Sequence, residues 1–212
     1  MKTVGTIILC YLIGSYPTAY LIGLLVSKKD IRRIGTKNMG ALNAFRSLGP
    51  FFGILTFFID AAKGFLPIFF ILRQTDNIVL IGFCVISLLC GHNWSLFIGF
   101  HGGKGGSTSS GIILALFPQV FLLSFFIFIF LSVLTSNVSF GLGISFLFLP
   151  FLVSFSTYPK SYFYLSLLIP IIGLIRTFPL FLKMIVESKG NFSKMLFIVI
   201  HGFTDFNKSG DK

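Results

Sequence analysis

Residues 28–49 read KKDIRRIGTKNMGALNAFRSLG. They carry six of the chain's seventeen Lys and Arg, together with three Gly and two Asn. Apolar runs of membrane length flank them, 4–26 before and 50–72 after. A cationic, glycine-bearing island between two such runs predicts a loop at a bilayer surface that can hold an anion. The rest of the 212-residue chain agrees: 55% is hydrophobic and only 11% charged, against about a quarter charged in soluble domains. A soluble fold of this size cannot hide so much apolar surface, so its solvent is lipid. The net charge of +11 sits in loops and tail. It therefore speaks for orientation and anionic headgroups, and no soluble basic face exists to bind nucleic acid.

The expected architecture is an all-α integral membrane protein with about seven transmembrane helices, some short. Spans are expected at 4–26, 50–72, 78–99, 107–117, 119–134, 140–156 and 162–181. Pro118 is what divides the apolar stretch 107–134 in two. Seven spans also fit the charges: the cationic loop 27–49 faces the cytoplasm, the N-terminus lies outside, and the tail with Arg176, Lys183, Lys189 and Lys194 returns inside. The first helix is expected to be retained, since Met1-Lys2 is a thin positive region and no clear cleavage site follows. Residues 1–190 form one membrane domain. Residues 191–212 form a cytoplasmic tail whose run FSKMLFIVIHGF (192–203) suits an interfacial helix. Cys10, Cys84, Cys90 and the three histidines lack metal-ligand spacing, so no metal or other cofactor is expected.

Two islands carry the chemistry. In the first, a helix reading MGALNAFRSL is expected from near Met39, capped by Thr36 or Asn38 and stopped at Gly49-Pro50. Asn43 and Arg46 lie three apart and share a face. Helix N–H groups beside Lys37 and Arg46 suit a phosphate. Charge alone would equally make a headgroup anchor, but anchoring does not require the interleaved Gly, Thr and Asn. The second island reads GHNWSLFIGFHGGKGGSTSSG (91–111). Gly102, Gly103 and Gly105 around Lys104 let main-chain N–H groups approach an anion. It is not a Walker A loop, because Gly105 follows the lysine. Ser107, Thr108, Ser109 and Ser110 add donors at a helix start. His92 can bond to such a phosphate or only to a carbonyl. Asp60 and Lys63, three apart within one span, serve either function or mutual pairing.

Taken in order, Gly14-Ser15-Tyr16-Pro17, the island DIRRIGTKNMGALNAFRSLG, Asp60 with Lys63-Gly64, Gly91-His92, Phe100 ahead of GGKG, and Val138-Ser139 resemble the bacterial acyl-phosphate:glycerol-3-phosphate acyltransferase family, PlsY. The resemblance implies a multi-pass enzyme of the bacterial plasma membrane. It would transfer an acyl group from acyl-phosphate to the 1-position of glycerol 3-phosphate, forming lysophosphatidic acid without metal, acyl-CoA or acyl-carrier protein. Its partners would be those two substrates and the bilayer. Carried over by motif, Thr36, Asn38 and Lys104 are the expected catalytic residues. Lys37, Asn43, Arg46, His92, Gly102, Gly103, Gly105 and Ser139 are the expected substrate-binding ones.

The chain departs from the family pattern in three places. Lys37 replaces a glycine and Leu42 a threonine. The family's R-H-x-x-N-I reads R-T-F-P-L-F from Arg176, so Thr177 and Leu180 stand where the family has His and Asn. No general base is then evident, and a substrate phosphate oxygen is left to take the hydroxyl proton. The alternative is a catalytically impaired or repurposed paralogue that binds a phosphorylated lipid precursor.

Overall fold

A computed structural model describes residues 2–188, Asn191 and Ser193. The described residues are helical with no strand. α1 (Lys2–Ser15) and α2 (Thr18–Ser27) are separated at Tyr16-Pro17, where proline supplies no N–H to continue the helix. A 3₁₀ turn at Ile31–Arg33 precedes α3 (Ala41–Leu48), α4 (Pro50–Leu72) and α5 (Ile78–Asn93). A second 3₁₀ turn at Leu96–Ile98 leads to α6 (Gly106–Leu116), α7 (Pro118–Leu134), α8 (Val138–Ser154) and α9 (Lys160–Ser188).

Four stretches are long and apolar enough to cross a membrane: Thr3–Ser27, Pro50–Leu72, Ile78–Ile98 and Lys160–Lys183. α6, α7 and α8 are apolar but shorter, at 11, 17 and 17 residues, below the roughly 20 of a full span. The apolar helices fall where spans were expected, except that the first expected span, 4–26, is broken at Pro17 into α1 and α2; Pro118 does open a new helix, as its position at a first turn allows. Phe58, Phe126, Phe130 and Val133 are among many large apolar side chains left exposed. In a membrane these face hydrocarbon at no cost, which accounts for the composition. The expected interfacial helix at 192–203 lies outside the described residues.

The chain divides into two compact units, Met1–Phe121 and Leu122–Lys212. In the first, α1 packs on α5, α4 on α6, and α3 on α4. Glycine makes the crossings close. A Cβ on Gly14 would come within 2.2 Å of the Leu88 carbonyl oxygen, and one on Gly111 within 1.9 Å of that of Ala61. Without a hydrophobic drive between helices in lipid, such close main-chain approach supplies the association. In the second unit α8 packs on α9. Asn137 caps α8, its Oδ1 accepting from the N–H groups of Ser139 and Phe140 at 3.1 and 3.2 Å.

Candidate active site

The first island folds around one side chain. Asn43 is 1% exposed. Its Nδ2 donates to the carbonyls of Asn38 at 2.9 Å and of Ile31 and Ile34 at 3.2 Å. Its Oδ1 accepts from the Thr36 N–H at 2.9 Å and the Ser47 hydroxyl at 3.2 Å. Asn43 was expected to touch substrate beside Arg46; instead its amide is committed to holding 31–38 in shape, while Arg46 is exposed. Capping also differs from expectation. α3 starts at Ala41 rather than near Met39, Gly40 is its N-cap, and no side chain caps it. The physical reason is that residues 35–38 wrap around the Asn43 amide rather than continuing toward the helix end. Lys37 sits at φ +57°, a left-handed conformation that a glycine would adopt without strain.

Asp30 fixes the start of this island. Its carboxylate accepts from Arg32 through the main-chain N–H, Nε and Nη2, the last at 2.7 Å. Those hydrogen bonds hold the Asp30 carboxyl below the ordinary aspartate range. The same arginine reaches across to the second island, donating from Nη1 to the Ile98 carbonyl at 3.4 Å. Ile31, Met39 and Ala44 of the first island bury against Ala19 of α2 and Ile98 of the second. The two islands are therefore packed together.

The second island is built on His92 and its neighbour. The Gly103 N–H donates to the His92 carbonyl at 3.1 Å. A Cβ at Gly102 would lie 2.1 Å from that carbonyl oxygen, and one at Gly103 would lie 2.2 Å from His92 Nε2. The loop thus lies directly on His92, and Gly102 and Gly103 are required by contact. Gly105 is left-handed at φ +81° and opens α6. Thr108 was expected to point donors at an anion. It is buried and shares a 3.0 Å hydrogen bond with His92 Nδ1. Ser110 bonds to the Gly106 carbonyl of its own helix. Lys104 is exposed.

Beneath the islands lies a polar floor made by the break at Pro17. Interrupting a helix frees carbonyls that must find donors. Lys63 Nζ donates to the Tyr16 carbonyl at 3.0 Å, and the Ser95 hydroxyl donates to that of Ser15. Lys63 also pairs with Asp60 Oδ1 at 2.8 Å, and the Thr18 hydroxyl donates to the same oxygen at 2.7 Å. Both charges are buried, so the pairing reading of these two residues holds. Ser15, Tyr16, Pro17, Thr18, Met39, Asp60, Lys63, His92, Ser95, Ile98, Gly102 and Gly103 border a single cleft.

Of the expected site residues, His92, Gly102 and Gly103 line the cleft; Lys104 and Gly105 adjoin it in sequence. Thr36 and Asn38 are half-buried in the loop that delivers Met39. Lys37 is exposed on that loop. Ser139 belongs to the second unit, where it opens α8. Sequence reasoning missed Thr18 and Ser95. The available signal was Pro17 inside an apolar run, since a proline there leaves carbonyls that need partners.

A family model described as glycerol-3-phosphate acyltransferase matches residues 4–197. The glycerol-3-phosphate acyltransferase of Limosilactobacillus reuteri (strain DSM 20016) is 44% identical over 142 residues, which is 65% of this chain and 66% of that protein. The aligned segment thus spans just under two thirds of that relative. The Syntrophomonas wolfei enzyme of the same name is 40% identical over 141 residues, 66% of this chain and 72% of the relative. Among solved structures, the crystal structure of PlsY, an integral membrane glycerol 3-phosphate acyltransferase, in its glycerol 3-phosphate form superposes with a TM-score of 0.80 at 27% identity. It covers 88% of this chain and 94% of that one. The lysophosphatidic acid form gives a TM-score of 0.76 at 27% identity, covering 88% and 93%. With the family model matching nearly the whole chain and the helical architecture superposing on a solved member, the chain belongs to the glycerol-3-phosphate acyltransferase family.

Proposed function

We propose that this chain transfers an acyl group from acyl-phosphate to position 1 of glycerol 3-phosphate, forming lysophosphatidic acid at the cytoplasmic face of a bacterial plasma membrane. The observation that carries this reading is the meeting of two separate polar islands at one cleft, with Met39 of the first opposite His92, Gly102 and Gly103 of the second. Lys104, Arg46 and Lys37 hold phosphate oxygens. Gly102, Gly103 and Gly105 let the main chain come close to them. Thr36 and Asn38 orient the substrates by hydrogen bonds, and Asn43 and His92 act one step back by holding the two loops. Ser139 keeps the role that its family motif implies.

The reaction needs little activation. The C1 oxygen of glycerol 3-phosphate attacks the acyl carbonyl carbon and forms the ester bond. The bond from that carbon to the phosphate oxygen breaks. Phosphate leaves with the electron pair, and a phosphate oxygen takes the hydroxyl proton. Positioning and cationic stabilisation of the departing phosphate supply the rate.

A second reading has its own support. Thr177 stands where the family has His, and its hydroxyl donates to the carbonyl of Gly173 at 2.8 Å within its own helix. A paralogue that binds without turning over is the alternative. Purified protein in lipid nanodiscs, given palmitoyl phosphate and glycerol 3-phosphate, should release lysophosphatidic acid, and Lys104→Ala should lower the rate by about 100-fold or more. Saturable glycerol 3-phosphate binding with no product would select the paralogue.

A further inference from the structure

The chain enters the glycine–lysine loop through a strained corner. Gly99 and Phe100 are both left-handed, at φ +67° and +60°. Glycine adopts that conformation freely, whereas phenylalanine resists it. A strained residue persists where its surroundings hold it in place. One side of the corner is tied to the helices. The Phe100 N–H donates to the Ser95 carbonyl at 2.8 Å, and the Ser95 hydroxyl is bonded to the Ser15 carbonyl of α1. The other side is the Ile98 carbonyl, and there the first island takes hold through Arg32.

Arg32 is aimed by its own surroundings. Its Nε lies 3.0 and 3.1 Å from the two Asp30 oxygens, and its Nη2 lies 2.7 Å from Oδ2. The guanidinium carbon stands 4.9 Å from the centre of the Tyr20 ring. Tyr20 in turn packs against the apolar cluster that joins the two islands. With a carboxylate along one edge and a ring on one face, the Nη1 edge is directed at the second island, where it donates to the Ile98 carbonyl at 3.4 Å. That bond is long, so what it fixes is place rather than energy. Asp30 balances the arginine's charge. Ile98 borders the cleft and Arg32 does not, so an effect of Arg32 on the chemistry passes through Ile98.

We propose that Arg32 is a positioning residue. Held by Asp30 and stacked on Tyr20, it pins the corner at Ile98–Phe100 and thereby fixes where the second island presents Lys104 and its glycines to a phosphate. The inference rests on the acyltransferase reading and gives that reaction a residue outside the cleft. A lysine at position 32 keeps the charge but lacks the planar fork. It cannot bond both Asp30 oxygens, cover Tyr20 and reach Ile98 at once.

The test compares wild type, Arg32→Lys and a control, Arg33→Lys, in nanodiscs. The Arg33 side chain is 86% exposed. Hydrogen exchange of the amides at 99–105 should accelerate about tenfold in Arg32→Lys and stay unchanged in the control. Exchange in α4 and α6 should not move. The Tm should shift by less than about 3 °C, since a partly exposed ion pair adds little to global stability. With palmitoyl phosphate and glycerol 3-phosphate, kcat should fall about tenfold in Arg32→Lys, as a shift of a fraction of an ångström at a reacting centre requires. Arg33→Lys should keep the wild-type rate. Unchanged exchange at 99–105 would overturn the proposal, as would accelerated exchange with an unchanged kcat. Acceleration spread over the helices with a large fall in Tm would also overturn it, marking an arginine that only braces the fold. A raised KM with a quiet loop would mark a substrate ligand instead, and has the same consequence. If wild type forms no lysophosphatidic acid, the acyltransferase reading falls, and loop exchange alone decides the pin. Acceleration confined to 99–105 keeps it, and its absence overturns it.

Discussion

Replacing Gly103 by alanine should jam the glycine–lysine loop against His92. The added Cβ would stand 2.2 Å from His92 Nε2 and 3.1 Å from Cδ2 and Cε1, where comfortable contact needs about 3.5 Å. Gly103 is not left-handed, so contact rather than backbone strain decides the outcome. The imidazole cannot easily yield. Its Nδ1 is bonded to the fully buried Thr108, whose own carbonyl lies against Gly64 of α4. The loop itself must move, by about 1 Å, and a displacement of that size at a reacting centre costs about 100-fold in rate. Removing the obstacle tests the cause. In a His92→Ala background the alanine at 103 meets no ring, so the double variant should match His92→Ala alone in kcat/KM for lysophosphatidic acid formation. Gly102→Ala is the control. Its Cβ would strike the main-chain oxygens of His92 and Asn93 at 2.1 and 2.5 Å, which no side-chain truncation removes. Multiplying effects of His92→Ala and Gly103→Ala would refute this reasoning, as would rescue of Gly102→Ala by His92→Ala or full activity in Gly103→Ala.

Asn43→Ala should leave the Thr36 N–H and the carbonyls of Ile31, Ile34 and Asn38 without this partner. It should destabilise the first island by about 2 kcal/mol, read as a lower Tm and faster tryptic cleavage at Lys37; unchanged values would show that the loop holds itself. Lys37→Gly should relieve about 1 kcal/mol of left-handed strain while raising KM for glycerol 3-phosphate; an unchanged KM would remove Lys37 from the phosphate site. The Asp30–Arg32 pair lowers the folded-state pKa of Asp30. Its stabilisation is therefore present above the usual aspartate value of about 3.9 and is lost as the pH falls through the lower folded value. Hydrogen exchange of the amides at 31–34 should accelerate only at strongly acid pH, and Asp30→Asn should flatten that dependence. Gly111→Ala would set a Cβ 1.9 Å from the Ala61 carbonyl oxygen and should cost about 1–3 kcal/mol through forced separation of α4 and α6, measured by thermal unfolding in detergent.

Hydropathy located the apolar helices, though not the break at Pro17 within the first of them, because lipid is a nearly uniform solvent and each span answers to it locally. Pro118 divided one apolar stretch for the same local reason, and Gly49-Pro50 ended α3 where the chain cannot continue its helix. The polar, cationic and glycine-rich character of the two islands was also legible, since charge and glycine content are properties of a short stretch. The inward turn of Asn43 was not, because its partners are spread from Ile31 to Ser47 in a loop without regular period. Nor was the polar floor. Thr18 meets Asp60 across 42 residues, and Ser95 meets the Ser15 carbonyl across 80. Those encounters depend on how closely α1, α4, α5 and α6 cross, which the glycine contacts fix in three dimensions. The sequence by itself determined a helical membrane protein with two polar, glycine-bearing loops. Only the tertiary structure decided which polar groups close on one another, because buried hydrogen-bond partners are assigned by helix packing and not by neighbours in the chain.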